Sequence, residues 1–167
     1  MARTEPLTIR PAIEDDAEAI CTIYNQGITD RLATLETALR TPAERRQWLA
    51  ERGSRHPAIV AQADGAVVGW GSLNRFNPRE VYDHVADFSV YVERDWRGRG
   101  VGTRLLARLI ELARELEYHK MTLATLIHNE AGLALYARAG FTKVGVFREQ
   151  GKLDGRWVDV LMMEKLL

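Results

Sequence analysis

The sequence predicts a single-domain α/β (α+β) fold, one mixed β-sheet flanked by helices. Three observations carry this reading. Strand-like and helix-like patterns follow one another in the order β-α-α-β-β-β-α-β-α-β-β. A glycine-rich stretch joins a β-rich run directly to a strongly amphipathic segment. No repeat, low-complexity tract or Pro/Ser-rich linker divides the chain. With 167 residues, 46% of them hydrophobic, the chain has the size and apolar content for one core, so residues 1–167 are read as one domain.

The elements follow in order. "LTIR" from Leu7 reads as a short strand, and "EDDAEAICTIYNQGI" from Glu14 sets Ala17, Ile20 and Tyr24 close to helical spacing. In "TPAERRQWLAERG", Thr41 suits an N-cap, Pro42 the first helical position and Glu44 a capping box, with Gly53 as the stop. "AIVAQADGAVVGWGSLN" reads as two antiparallel strands around Asp64 and Gly65. "FSVYVERD" from Phe88 is a further strand. It runs into "RGRGVGTRLLARLIELARELE" from Arg97, where Leu105, Leu109, Ala113 and Leu116 mark one helix face. "KMTLATLI" returns as a strand, and "NEAGLALYARAG" reads as a short helix from an Asn129 N-cap to Gly140 beyond its end. "FTKVGVFREQG" and "RWVDVLMMEKL" finish the chain as strands around the turn residues Asp154 and Gly155.

Composition excludes several classes. Basic and acidic residues balance at 23 each, so no net field draws the chain to nucleic acid or an anionic membrane. Arg97, Arg99, Arg104 and Arg108 do not make a basic patch, because Glu111, Glu115 and Glu117 offset them. No apolar run approaches the roughly 18 residues of a membrane helix, and "MARTEPLTIR" has no apolar run behind its charges, so no membrane association and a cytoplasmic location are expected. Cys21 has no second cysteine to pair with and reads as a small apolar helix residue. His56, His84, His119 and His128 show no ligand spacing, so no metal is expected. Trp48, Trp70, Trp96 and Trp157 read as core or interface anchors.

A strand, then glycines, then a helix N-terminus presents unpaired N–H groups to an anion. The stretch lacks the Gly-Lys-Ser/Thr of a P-loop and the G-x-G-x-x-G spacing of dinucleotide folds. Arg97-x-x-Gly100-x-Gly102, set between "SVYV" and an amphipathic helix, resembles instead the R/Q-x-x-G-x-G/A motif of the GCN5-related N-acetyltransferases (GNAT), and "NEAGLALYARAGF" resembles that family's second cofactor segment. "RPAIEDDAEAICTIYNQGI", "TLETA", "SVYVERDWRGRGVGTRLL", "GFTKVGVFREQG" and "GRWVDVLMMEKL" resemble more narrowly the phosphinothricin acetyltransferase branch.

The resemblance implies a GNAT-type sheet, acetyl-CoA as cosubstrate, a small-molecule amine acceptor and a homodimer. The N–H groups of Val90 and Val92 would meet the pantetheine arm and the thioester oxygen. The pyrophosphate would rest against Gly98 and the amides of Arg99, Gly100, Val101, Gly102 and Thr103, with Arg97 adding charge and Asn129 opening the second segment. Asp87 stands where the branch usually has glutamate, one methylene shorter, which suits a water-relayed base. Tyr136 matches the tyrosine that many members aim at the leaving thiolate, although phosphinothricin-type relatives often carry histidine there. Leu35 and Glu36, in "TLE" where the branch commonly has "TFE", belong to the acceptor wall. Arg75, Arg79 and Tyr82 lie in a loop expected to close over an anionic acceptor. Two other functions fit the same resemblance: a peptide or protein N-terminal acetyltransferase, and a non-catalytic acetyl-CoA-binding regulator.

Overall fold

The computed structural model describes residues 6–167; the first five residues of the charged start lie outside them. The strands are β1 (Thr8–Pro11), β2 (Ala58–Ala63), β3 (Ala66–Arg75), β4 (Val85–Val92), β5 (Lys120–Leu126), β6 (Thr142–Leu153) and β7 (Arg156–Leu166). The helices are α1 (Ala17–Asp30), α2 (Pro42–Ala50), α3 (Val101–Glu115) and α4 (Glu130–Arg138). Their order is the expected one, and all seven strands form one sheet in the order β1-β2-β3-β4-β5-β7-β6.

Local chemistry accounts for the ends of these elements. Thr41 and Glu44 form the reciprocal capping box of α2, with Pro42 at its first position. Asn129 caps α4 through Gly132 N–H. Both turn pairs, Asp64-Gly65 and Asp154-Gly155, hold positive φ at both residues, as two-residue hairpins require. Two boundaries differ from expectation. Residues 14–16 form a 3₁₀ turn before α1 begins. The helix expected to run to Gly53 ends at Ala50, because Arg52 leaves the helical path to bind the carbonyls of His56 and Leu73.

The side-chain period of two along the strands separates two packed layers. Leu105, Leu106 and Leu109 of α3 are fully buried against one face, in a core that also takes in Leu73, Phe88 and Met121. On the other face Ile20 and Ile23 of α1 pack with Val60 and Trp70. Trp70 is the core anchor expected, whereas Trp157 is 62% exposed with Lys152 over its ring.

The position of the site follows from one irregularity in the sheet. β4 and β5 are its parallel neighbours, yet they pair only at Val85↔Lys120, Ala86↔Met121 and Asp87↔Thr122. Beyond Asp87 the two strands part, while β4 stays paired with β3 as far as Gly69↔Val92. The gap opens beside the start of α3.

Candidate active site

The gap leaves strand N–H groups without a ladder partner. Glu93 N–H bonds the Val68 carbonyl on the β3 side, and successive amides alternate along a strand, so those of Val90 and Val92 point away from β3 into the gap. At its edge, Gly100 caps α3 with φ +82°, a conformation that a side chain disfavours, and contributes no capping side chain. The first bond of α3 runs from Arg104 N–H to Gly100 O, so the N–H groups of Val101, Gly102 and Thr103 have no acceptor within the helix. Unpartnered donors at the positive end of a 15-residue helix suit a phosphate group.

A cavity of about 450 Å³ lies against these donors. Val90, Val92, Arg97, Gly98, Gly100, Gly102, Thr103 and Asn129 all line it. Arg99 stands outside with its guanidinium over Trp96, and the Val101 side chain is buried in the core below. Arg97 is already engaged: one amino group donates to Asp30 at 2.7 Å, and Asp30 also binds Arg94. Leu135 and Arg138 of α4 line the same cavity and were not singled out from the sequence.

A second cavity, about 330 Å³, contains Leu35, Glu36, Asp87 and Tyr136, together with Tyr24, Ser89, Tyr91 and Thr125. The last four were missed. Ser89 and Tyr91 were within reach of the sequence, since they follow Asp87 at intervals of two along β4. The two cavities share Ala33, Val90, Tyr91 and Tyr136 and therefore meet there.

Arg75, Arg79 and Tyr82 are not brought to this cavity within the chain. Asn74 pairs with Asp87, and Arg75 is the next residue, so the strand pleat turns it to the opposite face. Arg75 and Tyr82 instead line a separate cavity with Arg55, His56, Asp83 and Tyr118, and Arg75 lies 3.6 Å from Asp83. Arg79 is exposed and lines none of the three. Among the described residues no arginine or lysine lines the cavity of Asp87; the guanidinium of Arg40 is bound to Glu36.

Burial pushes the Asp87 carboxyl up to about 6, against the pull of hydrogen bonds from Phe88 N–H and the Asn74 side chain. Burial, and then the charge of Asp87, push the Tyr136 phenol up to about 12. The Tyr136 ring is fixed edge-on against Phe88 and Phe141, at 5.8 and 6.4 Å between centroids. Among the described residues no group of three or more His, Cys, Asp or Glu gathers to hold a metal ion, and no helix is long and apolar enough to cross a membrane.

Unpartnered helix-start donors on one cavity, and a carboxyl and a phenol in a second that joins it, suit a group-transfer site for two substrates. The family model "Acetyltransferase (GNAT) family" matches residues 19–141. An L-methionine sulfoximine/L-methionine sulfone acetyltransferase of Pseudomonas paraeruginosa is 35% identical over 159 residues, 94% of this chain and 92% of the relative. The crystal structure of a ribosomal-protein-alanine N-acetyltransferase from Brucella melitensis is 39% identical with a TM-score of 0.92, covering 96% of this chain and 99% of that one. A phosphinothricin acetyltransferase from Sinorhizobium meliloti in complex with acetyl-CoA is 28% identical with a TM-score of 0.92, covering 96% and 88%. The chain belongs to the GNAT acetyltransferase family. It is an N-acetyltransferase, and acetyl-CoA is its cosubstrate.

Proposed function

We propose that the whole chain acts as one domain that carries acetyl from acetyl-CoA to the amine of a small amino acid or analogue, of the phosphinothricin or methionine sulfoximine type, by direct attack with both substrates bound. The observation that carries this reading is the junction of the two cavities at Val90, Tyr91 and Tyr136, with Asp87 in the smaller one. Relatives named for such acceptors support the substrate class.

Bound acetyl-CoA supplies the thioester whose carbonyl carbon the amine attacks. The amides of Gly98 to Thr103 and the free donors of Arg97 hold its pyrophosphate, with Asn129 shaping the wall opposite. Val90 and Val92 donate their N–H groups along the gap, one of them toward the thioester oxygen as charge develops there. Asp87, ionised above about pH 6, takes the amine proton through a water. Tyr136, protonated at neutral pH, gives its proton to the departing thiolate. The C–N bond forms, the C–S bond breaks, and one proton enters at Asp87 as one leaves Tyr136. Leu35 and Glu36 bound the acceptor from the segment between α1 and α2.

A homodimer in the cytoplasm belongs to the same reading. Val144, Val146, Phe147 and Trp157 expose 43–62% of their surface along β6 and β7, an apolar stretch suited to a second copy. Cys21, a buried free thiol, suits a reducing compartment. The Brucella structure favours a second reading, acetylation of a protein N-terminus. Thiol release from acetyl-CoA is the deciding assay, run with phosphinothricin, methionine sulfoximine, methionine sulfone, an amino-acid amide, an alkyl amine and an alanine-ended peptide. Preference for the free acids is expected. Preference for the peptide replaces the first reading with the second, and cofactor binding without turnover of any amine marks a regulator.

A further inference from the structure

Asn74, directly across from Asp87 in the β3–β4 ladder, is hydrogen-bonded through both ends of its amide. Its Oδ1 accepts from Arg52 at 3.0 Å and from the Ser72 hydroxyl at 2.9 Å. Its Nδ2 donates to the Ser89 hydroxyl at 3.1 Å, on the side of the cross-strand Asp87 carboxyl, whose charged form the amide favours. Both acceptor positions and one donor position are therefore filled, which leaves the second N–H for the Asp87 side.

Apart from Asp87 itself, only one member of this network decides which way the amide faces. The hydroxyls of Ser72 and Ser89 donate or accept equally well and adapt to either orientation. A guanidinium has donors alone. Rotating the Asn74 amide by half a turn sets its NH₂ against Arg52 and its oxygen against the Asp87 carboxylate, two repulsive contacts in place of two attractive ones. Arg52 is held for this task. Its Nε donates to the His56 carbonyl at 2.7 Å, a terminal nitrogen also reaches the Leu73 carbonyl, and its plane lies 4.3 Å from the Trp48 ring centre. Burial, with help from the charge of Arg45, brings the guanidinium down to about 10, which leaves it charged at neutral pH.

We propose that Arg52 is a positioning residue: through Asn74 it keeps a hydrogen-bond donor turned toward Asp87, holding the carboxylate in its ionised, acceptor-facing state. The kinetic consequence rests on Asp87 as the base; the network itself does not. The other groups facing Asp87 are Tyr136 from α4, Tyr24 from α1, Glu36 from the segment after α1, Ser89 and Tyr91 on β4, and Thr122 on β5. Of these, Glu36 is the one other carboxylate, and neither Arg52 nor Asn74 hydrogen-bonds it.

The test is a carboxyl ¹³C NMR titration of Asp87 in the full chain, labelled at aspartate and free of substrates. Asn74→Ala is expected to raise the Asp87 midpoint by about one pH unit, the loss of one hydrogen bond to a charged group. Arg52→Met is expected to raise it by about half a unit, because the carboxylate alone must then hold the amide in its donor-facing orientation. The double variant is expected to match Asn74→Ala alone, since Arg52 acts through the amide. If Arg52→Met does not fold, Arg52→Gln, which both donates and accepts, takes its place with the same expected rise. An unmoved midpoint in Asn74→Ala overturns the proposal, and so does an additive shift in the double variant, which marks Arg52 as a charge acting directly. A fall in Tm without a shift in either arginine variant does the same. The titration needs no turnover, so loss of the base assignment, read separately from kcat of Asp87→Asn, leaves this result interpretable.

Discussion

Asp87 on β4 and Tyr136 on α4 line one cavity with their proton affinities moved to opposite sides of neutrality, the carboxyl to about 6 and the phenol to about 12. Burial is the larger cause in both. At neutral pH the first is ionised and the second protonated, the states that a base and an acid need before reaction.

Asp87→Asn is expected to lower kcat by about 10² to 10⁴ at neutral pH, the usual range for losing a general base. In the unaltered protein kcat/KM should fall tenfold per unit below about pH 6, the value of the free carboxyl. Thiol release followed from pH 5 to 9 reads both, and a flat profile in the unaltered protein rules Asp87 out as the base.

The same substitution should stabilise the fold. The Asp87 carboxyl binds its proton more tightly folded, at about 6, than unfolded, near 3.8. Between these values the folded state holds more protons, so Asp87 costs stability as pH rises through that window, and the full cost, roughly 2–3 kcal/mol, is present above it. Asp87→Asn should therefore unfold at higher urea than the unaltered chain at pH 8. At pH 4 the difference should shrink.

Tyr136→Phe keeps the ring that packs on Phe88 and Phe141 and removes only the hydroxyl. A fall in kcat of about 10² is expected, with KM for acetyl-CoA and Tm nearly unchanged. A drop in Tm with normal kcat would assign the tyrosine to packing alone.

Gly100→Asp places a side chain at φ +82° and a negative charge beside the free N–H groups of α3. It is expected to cost ~1 kcal/mol in stability and to raise KM for acetyl-CoA at least about tenfold, since one unfavourable charge contact exceeds 1.4 kcal/mol. Equal acetyl-CoA affinity in calorimetry would argue against an anion cradle at this helix start.

Asp16 accepts two hydrogen bonds from Arg10, at 2.7 and 2.8 Å, and one from Ile13 N–H. Burial alone would raise its carboxyl, but these bonds outweigh it and hold it below the usual range. The stabilisation is present above about pH 4 and is lost as pH falls through the lowered value. Asp16→Ala should cost about 2–3 kcal/mol at pH 7, read by urea unfolding, and less in strong acid.

Element order, turn pairs and helix caps were legible because their causes lie within a few residues: a capping box at Thr41 and Glu44, positive φ at Asp154 and Gly155, and an apolar stripe on α3. The glycine-capped start of α3, with its unpartnered N–H groups, was legible for the same reason. The acceptor side was not. Whether Arg75 shares a face with Asp87 depends on the β3–β4 register, and the ladder sets Asn74 across from the carboxylate. Arg52 reaches Asn74 across 22 positions because the chain returns through β2 and β3. The opening itself exists because β4 and β5, joined through α3, pair at three positions and then part. Sequence by itself determined the elements, since backbone conformation and side-chain period are local. Which donors and carboxylates share one cavity was decided only by tertiary structure, because strand register is set by contacts between residues far apart in the chain.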